Sequence, residues 1–295
     1  MKKINYLELG GIFFVPATHK SLESIVGGEK YPELRSVLID TEDGLKDESL
    51  IEGLKSIKKL LITYEKKELF VFVRPKNIGI LKSLLTFKNI EKIDGFILPK
   101  FSLSNALTYF DILKPYNFSL MPSIEGEELF NQEKLYRLKE IILTNKQNIV
   151  LVRFGLEDIF RQLSLKRGEG DTAFSFSATT AVLGNFIASF KSAGFAISGG
   201  VYPYFSNDEG FIQDVKCDLK EGLFSKTIIH PRQIKLTNEL YKVSQKELNE
   251  ATKIIQSQEA AFNLNGKMAE RITMTPYAKE ILKRGEVYGV IKENK

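Results

Sequence analysis

The sequence predicts an α/β protein: a (β/α)8 TIM barrel over residues 1–243 with a small C-terminal helical extension over residues 244–295. Three observations carry that expectation. Apolar, β-rich runs recur between stretches of helical periodicity, and runs without polar alternation belong to parallel strands covered on both faces. Eight such runs can be counted, which suits a closed barrel better than the alternative, an open doubly wound sheet with fewer strands. Polar residues fall at or just beyond the carboxyl ends of the runs: Asp40, Glu42, Asp43, Arg74, Lys100, Glu125, Asp158 and His230. Barrel enzymes assemble their sites on that rim.

In chain order the runs are GIFFVPA (11–17), SVLID (36–40), LFVFVR (69–74) and GFILPK (95–100). FSLMPSIE (118–125), NIVLVRFG (148–155), FAISGGV (195–201) and KTIIHP (226–231) complete the eight. Between them, Ile51, Leu54, Ile57 and Leu61 share one helical face, as do Leu103, Leu107, Phe110 and Leu113 after a Ser102 or Ser104 cap. Leu135, Leu138 and Ile142 repeat the period, and Phe211, Val215 and Leu219 do so before Gly222 offers a stop. Beyond the eighth unit, Ser244 is an expected cap for a helix with Leu248, Ala251, Ile255 and Ala260 or Ala261 on its apolar stripe. A polar NLNGK turn follows, and a second short helix is expected after Pro276. The extension would pack on the barrel or reach a neighbouring subunit.

Composition narrows the function classes. The chain has 295 residues, 43% hydrophobic and 27% charged, as a globular protein does. Its +5 formal charge comes from basic residues scattered in pairs such as Lys2/Lys3, Lys58/Lys59 and Lys66/Lys67, which read as solvated surface rather than a nucleic-acid footprint. Cys217 stands alone, so no intrachain disulfide forms, and its helical context points to packing. The start MKKINYLELGGIFFVPA lacks a cleavage pattern, and no run approaches the ~20 apolar residues of a membrane span. A soluble cytoplasmic protein is expected. Gly168 and Gly170 in KRGEGD match no phosphate-binding fingerprint, so they read as a flexible loop.

The chemistry concentrates in two acids, Glu125 in LMPSIEGEE and Asp158 in VLVRFGLEDI, each just past a buried run. On neighbouring parallel strands both carboxylates open onto one face, where a divalent cation would offset their repulsion. The alternative is that they cap the helices that follow. Lys100 could meet a substrate carboxylate or pair with Glu42 or Asp43. His230 beside Pro231 holds a turn by hydrogen bonds or, alternatively, acts as a base.

The motifs, taken in order, resemble those of the HpcH/HpaI aldolase and citrate lyase β-subunit family. FFVPATHK is similar to LFVPGxRP, LIDTEDG to DLEDG and VRPKN to the RxN motif, and ILPK is shared. SIEG resembles the IET or IES stretch, FGLEDI the FGxxDL stretch and IIHPRQI the IHPxQI motif. The resemblance covers roughly residues 10 to 290. It implies a (β/α)8 barrel that makes or breaks carbon–carbon bonds, with Glu125 and Asp158 as ligands of Mg2+ or Mn2+. Arg74 would contact the substrate and stabilise an enolate. Glu42 would orient metal-bound water or Arg74, and Asp43 would sit near the reacting centre. Asp40 either shares that role or satisfies backbone donors in its turn.

The implied reaction is a retro-aldol or retro-Claisen cleavage of a β-hydroxy acyl group carried on coenzyme A or an acyl carrier, such as a citryl, malyl or citramalyl thioester, or of a related hydroxy acid. A homo-oligomer, a trimer or larger, is implied too. Some members supply an acid from a neighbouring subunit's C-terminal extension, and Glu270 in GKMAERI stands at or next to that position. The chain departs from the pattern at His19 and Ala17, where relatives have an arginine and a glycine that help hold the thioester, and at Ser198 and Gly199, where an aspartate is frequent. A histidine grips phosphate more weakly than an arginine. These departures resemble a divergent branch associated with tellurium-resistance and stress gene clusters. Two functions stay open: a magnesium-dependent carbon–carbon lyase, and a non-catalytic ligand-binding barrel that keeps the fold and the acids.

Overall fold

The computed structural model describes residues 3–291. They divide into two compact units, the first ending at Lys235 and the second beginning at Leu236.

The first unit alternates strand and helix. It runs β1 (Ile12–Pro16), α1 (Leu22–Val26), β2 (Ser36–Asp40), α2 (Leu50–Thr63), β3 (Phe70–Arg74), α3 (Ile78–Leu85), β4 (Gly95–Leu98) and α4 (Ala106–Leu113). It continues through β5 (Ser119–Ile124), α5 (Gln132–Leu143), β6 (Arg153–Phe154), α6 (Leu156–Gln162), α7 (Ser177–Ser192), α8 (Asp208–Lys220), β7 (Thr227–Ile228) and α9 (Arg232–Leu240), the last crossing the division. The sheet is seven-stranded in the order β6-β5-β4-β3-β2-β1-β7, and every pairing in it is parallel. The seventh run closes the ring through two single parallel bridges, Val152 to Ile197 and Ser198 to Phe224. The family of the barrel is therefore the expected one, with its seventh strand reduced.

Gly199 in that run answers a steric demand. A Cβ on Gly199 would lie 2.2 Å from Asp218 Oδ2, so the α8 carboxylate occupies the space that a side chain on this strand would need. Asp218 and Asp214, one turn apart on α8, both pair with the fully buried Lys226, and Arg167 pairs with Asp214. A buried ionic cluster thus joins the apolar packing of Phe211 and Val215 on the inner side of α8. Such a cluster is costly to break once built.

Alternation along the strands builds the interior in layers. Leu9, Ile12, Leu38, Phe72, Ile97, Met121 and Leu151 form one buried apolar cluster, with Phe14 and Ala196 packed against it. Two residues further along the strands, on the same face, stand Phe14, Asp40, Arg74, Ser123 and Arg153. The polar site therefore sits one layer above an apolar floor.

The helices cover the outside with faces slightly rotated from those the sequence suggested. In α2 the buried side is Gly53, Ile57, Leu60 and Leu61, whereas Ile51 is exposed. In α4 it is Ala106, Tyr109, Phe110 and Leu113, with Leu107 exposed and Asn105, not Ser102 or Ser104, at the N-cap. Tyr109 buries a face that a count of aliphatics overlooks. Leu135, Leu138 and Ile142 are buried as expected, as are Phe211 and Val215, and α8 stops before Gly222.

The second unit has its own core of Val243, Ala251, Ile254, Leu264, Ala269, Ala278 and Ile281. It contains α10 (Gln245–Gln256), a hairpin of β8 (Ala261–Leu264) and β9 (Lys267–Glu270), and α11 (Arg271–Tyr288). Ser244 caps α10 in a full capping box with Glu247. The NLNGK segment turns the hairpin, and α11 begins at Arg271, so Pro276 lies inside a long helix instead of starting a short one.

Candidate active site

Register places the first pair. Asp40 and Arg74 are direct partners across β2 and β3, so their side chains leave the sheet together. Arg74 Nε and Nη2 each donate to Asp40 at 2.7 Å, a bidentate fork. Asp40 also accepts from the backbone N–H of Glu42 at 3.0 Å and of Gly44 at 2.9 Å, so it fixes the turn as well as the guanidinium. Arg74 Nη1 lies 2.8 Å from Glu42 and 3.6 Å from Asp43. Burial works against the charge on Arg74, but Asp40, Glu42 and Asp43 outweigh it and hold its pKa above the ordinary value.

Glu42 is buried, and burial raises its pKa against the pull of Arg74 and Lys100. Lys100 Nζ reaches it at 2.9 Å and Asp43 at 3.5 Å, so of the two roles open to Lys100 the structure displays the pairing. The Glu42 contact in turn raises the Lys100 pKa. Lys100 adopts a left-handed backbone with φ 45, a conformation costly for a residue with a side chain, immediately after β4. Asp43 keeps a half-exposed side chain at the edge of this group.

The acid pair comes from β5 and β6, which run parallel with Ser123 opposite Arg153 and Ile124 opposite Phe154. One residue further, Glu125 faces Gly155, and both predicted acids crowd that glycine. A Cβ there would lie 2.5 Å from Glu125 Cγ and 3.0 Å from Asp158 Oδ2. Glu125 and Asp158 therefore converge, as the sequence reading required. Asp158 sits in the first turn of α6, where its charge also suits the helix dipole, and pairs with Arg161 at 2.7 Å. Glu125 caps no helix; Gly126 precedes the turn that follows. Its Oε2 is buried with no hydrogen-bond partner. Burial pushes the Glu125 pKa up to about 7, a Ser123 hydrogen bond opposes this, and the charges of Glu42 and Asp158 add to the rise.

One cavity of about 250 Å³ joins these groups, lined by Phe14, Asp43, Arg74, Ser123, Glu125, Arg153 and Asp158 among others. Arg153 is the residue that sequence reasoning missed. Its guanidinium stands over Phe14 at 5.4 Å, with Arg74 over the same ring at 5.2 Å. A single arginine inside the apolar run NIVLVRFG was the available signal, because a charge there must point into the barrel or disrupt it.

Three further candidates stand apart from the cavity lining. His19 lies in the turn after β1 with Nδ1 accepting from Ser21 N at 3.0 Å. Burial and the nearby Lys30 and Lys20 lower its pKa. His230 stacks on Phe205 at 4.9 Å and accepts from Arg232 N, as a turn-holding residue does. Glu270, in the second unit, accepts from the Thr273 hydroxyl at 3.0 Å at the start of α11.

Among the described residues no group of three or more His, Cys, Asp or Glu side chains is arranged to hold a metal. Glu125 and Asp158 form a carboxylate pair at Gly155, and magnesium, which keeps several waters, is held by one or two carboxylates. The buried, unpartnered Glu125 oxygen beside a second acid fits such an ion. No helix among the described residues is long and apolar enough to cross a membrane.

The architecture is a parallel barrel with paired acids and two guanidiniums around one rim cavity. The chain belongs to the family described as C-C_Bond_Lyase of the TIM-Barrel fold, whose sequence model matches residues 3–290. It is similar to citrate lyase subunit beta of Escherichia coli (strain K12), 29% identical over 154 residues that cover 50% of this chain and 49% of that protein. An L-malyl-CoA/beta-methylmalyl-CoA lyase of Cereibacter sphaeroides is 35% identical over 75 residues, 25% of this chain and 24% of that one. The chain thus spans about half the length of the first of these relatives, and less of the second. In solved structures the fold is shared with CitE from Mycobacterium tuberculosis in complex with magnesium, acetoacetate and coenzyme A, at TM-score 0.69 and 17% identity over 94% of this chain and 98% of that one. RipC from Yersinia pestis shares it at TM-score 0.62 and 15% identity, over 83% of this chain and 100% of that one.

Proposed function

We propose that this chain is a magnesium-dependent carbon–carbon lyase that cleaves a small β-hydroxy acyl thioester, or a related hydroxy acid, by a retro-aldol or retro-Claisen step. The observation that carries the reading is the convergence of Glu125 and Asp158 on Gly155 beside the cavity that Arg74 lines. Glu125 and Asp158 would hold the metal, with Mn2+ as a substitute, and the ion would supply positive charge at the developing enolate oxygen.

The chain's own groups do the rest. Arg74, fixed by Asp40 and Glu42, presents a preorganised guanidinium whose charge is insensitive to pH, so no reorganisation is needed as negative charge develops. Asp43 lines the cavity with a side chain less enclosed than that of Glu42, and it accepts the hydroxyl proton of the substrate. Lys100 holds Glu42 and Asp43 in position. Phe14, Ile97, Phe154 and Leu156 give the cavity apolar walls that keep water from the reacting carbon.

A coenzyme A carrier is supported by the names of the relatives and of the structural neighbour, and a homo-oligomer belongs to the same reading. The turn bearing His19 and Lys20, to which Lys30 reaches back by donating to the Ser21 hydroxyl at 2.8 Å, is where a phosphate-rich carrier would be gripped. With the His19 pKa lowered, the two lysines supply the charge there.

The test is turnover of citryl, malyl and citramalyl thioesters with and without Mg2+. Metal-dependent cleavage that disappears in Glu125→Ala and Asp158→Ala is expected. Metal and ligand binding with no cleavage of any of the three would favour the non-catalytic barrel.

A further inference from the structure

We propose that Arg153 is a specificity-determining residue that ion-pairs a second anionic group of the substrate, a carboxylate distinct from the group that reacts between Arg74 and the acid pair. The inference rests on the reading of the rim cavity as a substrate site and deepens it.

Two guanidiniums line the cavity, and their surroundings differ. Arg74 is committed: Asp40 takes two of its N–H groups, and Glu42 ion-pairs its Nη1 at 2.8 Å. Arg153 is 4% exposed, yet among the described residues no carboxylate lies within ion-pair distance of it. Its Nη2 donates to the neutral hydroxyl of Thr227, its Nη1 has no hydrogen-bond partner, and its Cζ lies over the Phe14 ring, 5.4 Å from the centroid. Burial lowers its pKa to about 9, helped by the charge of Arg74 and opposed by Glu125, so it remains a cation at neutral pH.

A buried cation with an open donor is unfavourable unless something completes it. A guanidinium matches a carboxylate by geometry as well as charge. The wall is rigid, because Arg153 belongs to β6 and its hydroxyl partner to β7, on opposite sides of the reduced seventh strand. The ligand class that follows is a compact acid with two anionic groups, small enough for about 250 Å³.

The competing account is that Arg153 only ties β6 to β7. Affinity for a matched pair of acids separates the two. Malate and lactate are both 2-hydroxy acids and differ in one carboxylate, so calorimetric titration of each into the whole protein with saturating MgCl2 isolates that group. Wild type should bind malate about tenfold tighter than lactate or more. Arg153→Met should bring malate down to the lactate value and leave lactate unchanged, and Arg153→Lys should retain part of the preference. Equal affinities in wild type, no detectable malate binding at millimolar concentration, or a preference that survives in Arg153→Met would each overturn the proposal. The wild-type comparison decides even if the Met variant fails to fold. Binding is read without turnover: a malate preference with no thioester cleavage would sink the lyase reading alone, and cleavage with no preference would sink this one alone.

Discussion

A carboxylate with a buried, unpartnered oxygen is the most consequential single group in the molecule. Without metal, Glu125 holds its proton up to about pH 7, against an ordinary value of 4.5. Between those values the folded state binds more protons than the unfolded state, so stability falls as pH rises through that window and stays lower above it. Glu125→Gln removes the dependence. In metal-free buffer its melting temperature should exceed that of wild type near pH ~8 and match it near pH ~4.5, a difference on the order of 2–3 kcal/mol. Thermal melts across pH check this, and a parallel pH dependence in both proteins would contradict it. Adding Mg2+ should stabilise wild type by about 2.7 kcal/mol at a hundredfold excess over Kd and leave Glu125→Gln much less affected. Gly155→Ala tests the geometry between the acids. Its methyl group would meet Glu125 Cγ at 2.5 Å, so Mg2+ affinity should fall ~10-fold or more while the fold survives. Titration of Mg2+ against the variant reads it out. The acids themselves were legible in the sequence because each ends an apolar run, and their meeting follows from β5 and β6 being neighbours. Arg153 was legible only as a charge inside an apolar run, because one arginine in a strand carries no mark of whether a partner awaits it.

Most strands announced themselves as unbroken apolar runs, and the register of β2 with β3 then made the Asp40–Arg74 pair unavoidable. The seventh did not behave so simply: FAISGGV reads as a strand, yet only two bridges form, and Asp218 of α8 fills the space that a side chain at Gly199 would take. Long-range charge packing of this kind has no local signature. Nor did the sequence disclose that α2 and α4 would turn Ile51 and Leu107 outward, because aromatic and glycine positions chose the buried face. The Lys226 cluster yields its own prediction. Lys226→Met leaves Asp214 with Arg167 alone and Asp218 without its cation, so a loss of about 3–5 kcal/mol is expected by denaturant unfolding. A loss below ~1 kcal/mol would mean that the cluster is not what holds α8 to the wall. Gly199→Ala should destabilise for the complementary reason, its methyl group meeting Asp218 Oδ2.

For the molecule as a whole, a barrel of parallel strands turns sequence order into spatial order, and that is why consecutive strand ends from β2 to β6 contribute neighbouring parts of one site. All the residues lining the cavity belong to the first compact unit, while the described residues from 236 to 291 gather around a core of their own. The central claim is that Glu125 and Asp158 share a divalent cation within this cavity. A crystal soaked in MnCl2 and measured at a wavelength where manganese scatters anomalously tests it most directly. The account predicts one strong anomalous peak within coordination distance, ~2.1 Å, of oxygens from both carboxylates. A peak elsewhere on the protein with none between these two acids would contradict it.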